Sequence, residues 1–462
     1  MTADAAVHLR LRGTDPARWP ATASAWRRWA ALAGVLRAEF GPLADRLRAA
    51  WSGPAGDAAR ARILAMGRRL AVFRLLCWRA DQALSEFGAA VARARALLDR
   101  ARGRAARSGL VIDDRGTVHG HAPDAEAVVA DLTAAVSVAA RADEDAAARL
   151  TRLTGEATPP RGPAPPSCTA ASSEVRRWWG TLTPPERNWV LATAPGSVAF
   201  TDGIPVADRD LANRLLLAGP PELSARLEDD SGPRAYLVGL DTAGDGRAVV
   251  AFGDPDRAGH VLTHVPGMTS DLDSLGRELR RAERVAVRAA ELDPARSAGT
   301  VVWLDYDAPD FLHEALSDRQ ARDGAADLRR FQEGLRAGHE GPRPDLTVLG
   351  HSYGSLVVGR AATGGPLEAD RLIFVGSPGV GVDSAADLTV PAGQVWASTA
   401  RSDVIRHVTW FGRDPSEPGF GGRVFPSQPD AGHSGYWDAG GPALDALATL
   451  TLGGTPPPVT PP

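Results

Sequence analysis

From Pro20 to Ala50 the apolar residues Trp26, Trp29, Leu32, Leu36, Phe40, Leu43 and Leu47 recur every three or four positions, the repeat of one helix face. Gly41-Pro42 interrupts the run at a point where a helix would bend or split. After Trp51-Ser52-Gly53-Pro54 a second run, Asp57 to about Arg107, carries Ile63, Leu64, Leu70, Phe73, Leu76, Leu84, Phe87, Val91, Leu97 and Leu98 at the same spacing. Two long amphipathic helices joined by a tight glycine turn predict an antiparallel hairpin. Gly109 to Val118 reads as a short strand pair turned at Asp114-Arg115-Gly116, and Asp124 to Leu153 as a third, alanine-rich helix. Thr158 to Pro166 is rich in proline and carries no periodicity, so a domain boundary is expected there.

Beyond the boundary the pattern changes to short apolar runs alternating with helical ones, the signature of a mostly parallel sheet. The expected strands are 235–240 and 247–252, paired about Gly244-Asp245-Gly246, then 260–265, 300–304, 345–349, 371–375 and 394–398. Helices are expected over 271–291, 318–337, 353–363 and 442–452. The arginines of the first of these, Arg277, Arg280, Arg281, Arg284 and Arg288, alternate with acids and read as a solvated face. The expected division is therefore a helical module over 1–157, a linker over 158–175, an α/β domain over 176–452 and a disordered tail over 453–462.

Composition narrows the function classes. With 462 residues, 44% hydrophobic and 23% charged, the chain is ordinary globular protein of two or three domains. Its 52 basic residues, all arginine, nearly balance 56 acids, so no global attraction to nucleic acid or acidic lipid is expected. Two cysteines, Cys77 and Cys168, make neither a disulfide framework nor a zinc site, and Cys77 reads as a small buried hydrophobe. The first twenty residues lack the apolar core of a signal peptide, and no run is long enough to span a membrane. Expected localisation is cytoplasmic, or outside the cell by a route that uses no signal peptide.

The chemistry centres on Leu349-Gly350-His351-Ser352-Tyr353-Gly354. Gly-x-Ser-x-Gly is weak by itself in a chain with 49 glycines. Here an apolar strand precedes it and a helical run follows, so Ser352 is expected on a strand–turn–helix elbow. Such a turn brings the flanking positions nearly into collision and admits only small residues there. A serine hydroxyl needs a general base, itself oriented by an acid, and in this arrangement both follow the nucleophile. Only His407 and His433 lie downstream; His433, in a turn-rich loop before the last helix, is the expected base. Asp403, after the 394–398 strand, is the expected acid, with Asp383, Asp387 and Asp414 as alternatives. The oxyanion donors are expected to be the N–H groups of Tyr353 and of Met268, beside Thr269, in the loop after the third strand. No metal or organic cofactor is required. Trp303, Tyr306, Phe311, Trp410, Phe411 and Phe420 near strand ends are candidates for a substrate pocket or for core.

Two resemblances add to this reading. Trp51-Ser52-Gly53 between two helices resembles the WXG100-like proteins of type VII secretion, though all four tyrosines lie far from the export signal such systems use. The ordered set Asp202–Arg214, Val265-Pro-Gly-Met-Thr269, Trp303-Leu-Asp-Tyr-Asp-Ala-Pro309, Gly350–Gly354 and His433–Asp438 resembles the actinobacterial α/β-hydrolase family DUF1023. That resemblance implies an α/β-hydrolase fold, a mostly parallel eight-stranded sheet flanked by helices, and a serine triad, without a substrate. Asp305 stands where a glycine is expected and would alter the loop beside the site. The expected function is a serine hydrolase, esterase- or lipase-like, acting on a small-molecule or lipid-like acyl substrate. The alternative is a secretion-associated module that binds a helical partner through its hairpin, with an inert or acyl-transferring hydrolase domain.

Overall fold

The computed structural model describes residues 3–458 except Cys168 and Ala218, with side chains from Ala6 onward. The linker cysteine and the last four residues of the expected tail, 459–462, lie outside the described residues. The chain forms two compact units: residues up to Gly162 together with Thr181–Pro195, and Pro163–Gly180 together with the chain from Gly196 onward.

In the first unit, α1 (Ala3–Gly13) precedes α2 (Arg18–Ala38) and α3 (Phe40–Ala50), which run back along the 54-residue α4 (Pro54–Arg107). The break between α2 and α3 falls at Glu39, and Pro42 sits in the first turn of α3, where its missing N–H costs nothing. Gly53, at φ 102°, opens α4 after the extended Trp51. A two-residue pair, β1 (Val111–Ile112) and β2 (Val118–His119), leads into α5 (Ala125–Thr151), which packs along α4. The core face of α2 differs from the expected one. Ala23, Arg27, Ala30 and Ala33 are buried, whereas Trp29, Leu32 and Leu36 are each about half exposed or more. Small residues let α2 approach α4 closely, and that contact includes a buried ion pair between Arg27 and Asp81. The large stripe does share one face, but that face points outward. Cys77 is buried, and burial pushes its thiol up to about 11.

The chain then passes through α6 (Ser172–Thr181), in the second unit, and α7 (Pro184–Thr193), in the first. Part of the expected linker is fastened within the first unit, Thr158 N–H to Pro185 C=O and Arg161 N–H to Glu186. Three helices not foreseen from periodicity follow in the second unit: α8 (Gly196–Ala199), α9 (Val206–Leu216) and α10 (Pro221–Glu228).

The eight-stranded sheet comprises β3 (Ala235–Asp241), β4 (Arg247–Phe252), β5 (His260–Val265), β6 (Ala298–Leu304), β7 (Asp345–His351), β8 (Arg371–Val375), β9 (Val395–Ser398) and β10 (Arg423–Val424). Their order across the sheet is β10-β9-β8-β7-β5-β6-β4-β3. Only the pairings of β4 with β3 and β6 are antiparallel. The helices are α11 (Leu275–Leu292), α12 (Arg319–Gly338), α13 (Gly354–Thr363) and α14 (Pro442–Thr451). Alternation along β7 and β8 sorts the two faces: Val348, Leu372 and Phe374 pack with α12 and α13, whereas Leu349, Ile373 and Val375 pack with α14. One expectation about α11 is corrected. Arg281 is buried, held by Glu278 at 2.9 Å and lying over the Trp437 ring.

The Asp202–Arg214 motif finds its reason at the sheet edge. Asp210 accepts from Leu237 N–H, Asn213 donates to Leu237 C=O, Arg209 to Val238 C=O and Arg214 to Ala235 C=O. The outward backbone groups of edge strand β3 are thereby occupied, as an unprotected edge would not be. Burial alone would raise the Asp210 pKa; Arg214 at 2.8 Å and Arg234 at 3.1 Å instead hold it below the usual range. Asp210→Asn removes the buried carboxylate that Arg214 and Arg234 share, leaving Arg214 only the more exposed Glu228 at 3.5 Å, so a loss of about 3–5 kcal/mol is expected. Urea unfolding of the full chain followed by circular dichroism measures it.

Candidate active site

Three segments meet at the carboxyl end of the central strands, where ligands bind in open α/β sheets. The first is the turn from β7 into α13. Ser352 has φ 53°, a conformation costly for a residue with a Cβ, and its N–H is held by Val375 C=O at 3.1 Å. The glycines around it are sterically required. A Cβ on Gly350 would lie 2.6 Å from the Ser355 Cα, and one on Gly354 would lie 2.3 Å from the Val265 carbonyl oxygen. The half-buried Ser352 is therefore on the expected elbow.

The second segment is the loop after β5. Gly267 passes so close to the serine that an added Cβ would sit 2.6 Å from Ser352 Cβ. Thr269 also has positive φ, 59°; it and Ser352 are the two non-glycine residues in that region among those described. Its N–H donates to Pro309 C=O at 2.8 Å, which removes it as an oxyanion donor. The N–H groups of Met268 and Tyr353 make no hydrogen bond among the described residues. Tyr306 Oη fixes the loop by donating to Pro266 C=O at 2.7 Å.

The third segment carries the expected acid and base, Asp403 and His433. Asp403 is buried after β9 and caps a short turn by accepting from Ile405 N–H. His433 Nδ1 lies 3.0 Å from both of its carboxylate oxygens. Burial would raise the Asp403 pKa, but His433, Tyr436 and the Ile405 N–H together keep it below the usual carboxylate range. Ser352 Oγ makes no hydrogen bond to His433 here; in an uncomplexed site this contact is commonly long and closes around substrate. The alternatives stand elsewhere: His407 is exposed, Asp387 is exposed, Asp383 accepts from Arg413 N–H, and Asp414 accepts from Thr399 and Ser416.

Three supports were not legible as such. Tyr436 Oη donates to Asp403 at 2.7 Å while accepting from Ala400 N–H. His351 is buried and donates from Nε2 to the His433 carbonyl at 3.0 Å, fixing the base's own backbone. Gly376, at φ 53°, clears room for the pair, since a Cβ there would meet Asp403 Oδ2 at 2.9 Å. Beneath them the Trp437 ring packs edge-on against His351 and His264, and His264 is bonded to Glu278. Of the six candidate aromatics, Trp303, Tyr306 and Phe420 are core, whereas Phe311 and Trp410 are exposed. Asp305 is half-buried, its carboxyl pushed up to about 6 by burial and by nearby Asp327. Among the described residues no three metal-binding side chains converge.

A family model described as alpha/beta hydrolase matches residues 241–413. An uncharacterized protein of Mycobacterium tuberculosis is 34% identical over 197 residues, 40% of this chain and 74% of the relative. A protein of Mycobacterium bovis matches with the same figures. This chain belongs to the alpha/beta hydrolase family. A second uncharacterized protein of M. tuberculosis is 28% identical over 371 residues, 63% of this chain but 56% of that relative, so the chain spans just over half of its length. The family match ends beyond the Asp403 loop and covers the elbow, the loop after β5 and the acid.

Tyr436→Phe removes one donor from Asp403 and strands the Ala400 N–H, so a loss of about 1.5–3 kcal/mol at pH 7 is expected. Because the folded Asp403 pKa is depressed, its contribution is present above the unfolded value near 3.9 and is lost as pH falls through the lower folded value. The gap between variant and native protein should narrow in that acid range, as measured by chemical unfolding at several pH values.

Proposed function

We propose that the chain is a serine hydrolase that cleaves an ester or related acyl bond with Ser352, His433 and Asp403. The observation that carries this reading is the coincidence of a strained serine elbow with a carboxylate-oriented histidine on a neighbouring loop. Ser352 Oγ attacks the carbonyl carbon and its proton passes to His433 Nε2. The tetrahedral oxyanion is held by the N–H groups of Tyr353 and Met268. His433 returns the proton to the leaving alcohol as the carbon–oxygen bond breaks. Water, deprotonated by the same histidine, then releases the acid and restores the serine. Asp403 keeps His433 in the Nδ1–H tautomer and stabilises its charged form.

A second reading concerns the helical unit. Its outward Trp29, Leu32 and Leu36 stripe is the kind of surface that a helical partner covers. Both roles are compatible in one chain.

The test is turnover of p-nitrophenyl acetate by the full chain. Ser352→Ala and His433→Gln should each lower kcat by about 10³-fold or more, and Asp403→Asn by about 10²-fold or more, with little change in KM. Equal turnover by native protein and Ser352→Ala contradicts the assignment.

A further inference from the structure

The rim of the site is apolar on one side, and the exposed residues there are confined to two neighbouring segments. Between β6 and α12, Phe311, Leu312 and Leu316 are 61%, 60% and 54% exposed. After β9, Val404 and Trp410 are 75% and 45% exposed. The segments meet at an open cavity of about 380 Å³ with one apolar wall, made by Leu316, Val382, Trp410 and Phe411. The rest of its wall is polar, with Ser317, Asp383 and the pair of Arg360 and Asp318 at 2.9 Å. So much large apolar surface on loops at the strand ends is expected of a binding site.

The cavity adjoins the site through Phe411. Phe411 packs edge-on against the Tyr353 ring at 6.0 Å, and Tyr353 directly follows the serine. Tyr353 Oη in turn donates to Ser317 C=O at 2.6 Å, in the first segment. Pro309, at the start of that segment, holds the Thr269 N–H beside the expected oxyanion donor. An acyl chain running from a carbonyl at Ser352 past Phe411 would therefore reach the apolar wall of the cavity. Charge limits what enters: Asp310 has Asp245, Glu314, Asp271 and Asp307 within electrostatic reach. An anionic acyl group is repelled there, and Arg360 in the cavity is already paired with Asp318.

We propose that the cleft between residues 309–317 and 404–412 is the acyl site, taking the uncharged chain of an ester of about eight carbons or more. This rests on the serine-hydrolase reading and names its substrate class. Leu312, Leu316 and Trp410 set chain-length specificity by removing methylene groups from water.

The experiment compares p-nitrophenyl acetate, butyrate and octanoate, the last kept monomeric so that an acyl chain and not an aggregate surface is tested. For the full chain, kcat/KM should rise at least about tenfold from acetate to octanoate. Leu312→Ser combined with Trp410→Ser should lower the octanoate-to-acetate ratio at least about fivefold, whereas Val287→Ser, an exposed apolar site on α11, should leave the ratio unchanged. The hemisuccinate ester should be turned over about tenfold more slowly than butyrate. A flat or falling chain-length profile, an unchanged ratio in the double variant, or hemisuccinate equal to butyrate overturns the assignment. If acetate turnover depends on Ser352 while the profile is flat, only the acyl site fails. If no turnover depends on Ser352, the hydrolase reading fails and the acyl site with it.

Discussion

The site depends on one backbone constraint, the positive φ at Ser352. An L-residue adopts that conformation only when its surroundings over-determine it, and here they do. Val375 C=O fixes the serine N–H, and Gly350, Gly354 and Gly267 each approach backbone or the serine more closely than a Cβ would permit. The consequence is geometric. β7 must end and α13 must begin within two residues, which leaves Ser352 alone on the turn with Tyr353 at the start of the helix. Thr269 repeats the device in the facing loop, where its strained backbone and bond to Pro309 leave Met268 N–H unoccupied.

The proposed acid–base pair is secured by a separate, mostly buried assembly. Asp403 is held by three donors, and His433 is anchored at its ring by Asp403 and at its carbonyl by His351. His351 stays neutral because burial, Arg281 and His433 all disfavour its cation. Trp437 fills the space among His351, His264 and Arg281, and Glu278 neutralises the buried arginine. The loops bearing the chemistry are thus irregular in secondary structure yet fixed by a polar network in which charge is matched.

What the sequence reveals follows the range of the interaction. The elbow is legible because strand, glycines and helix are contiguous, and the elimination that favours His433 and Asp403 needs only chain order. Seven of the eight sheet strands are legible as apolar runs, whereas β10 has two residues and pairs only with β9, too little to leave a pattern. Tyr436, Gly376 and the His351 contact are tertiary facts: nothing local says that a tyrosine three residues after His433 reaches Asp403. The stripe on α2 misleads because periodicity identifies a shared face without saying which way it points; close packing on α4 chose the alanines. The Asp202–Arg214 motif enters the sequence reading only through its resemblance, and the reason for Arg209, Asp210, Asn213 and Arg214, the bonds to an edge strand, is tertiary.

The central claim is that this strained turn makes Ser352 the nucleophile, and the most direct measurement is the position of a covalent adduct. The full-length chain is treated with a fluorophosphonate and its peptides are sequenced by mass spectrometry. One adduct per chain is expected, on Ser352, and none after denaturation in urea, because the activating geometry exists only in the fold. An unmodified Ser352, or an adduct on Ser434 or another serine, would contradict it.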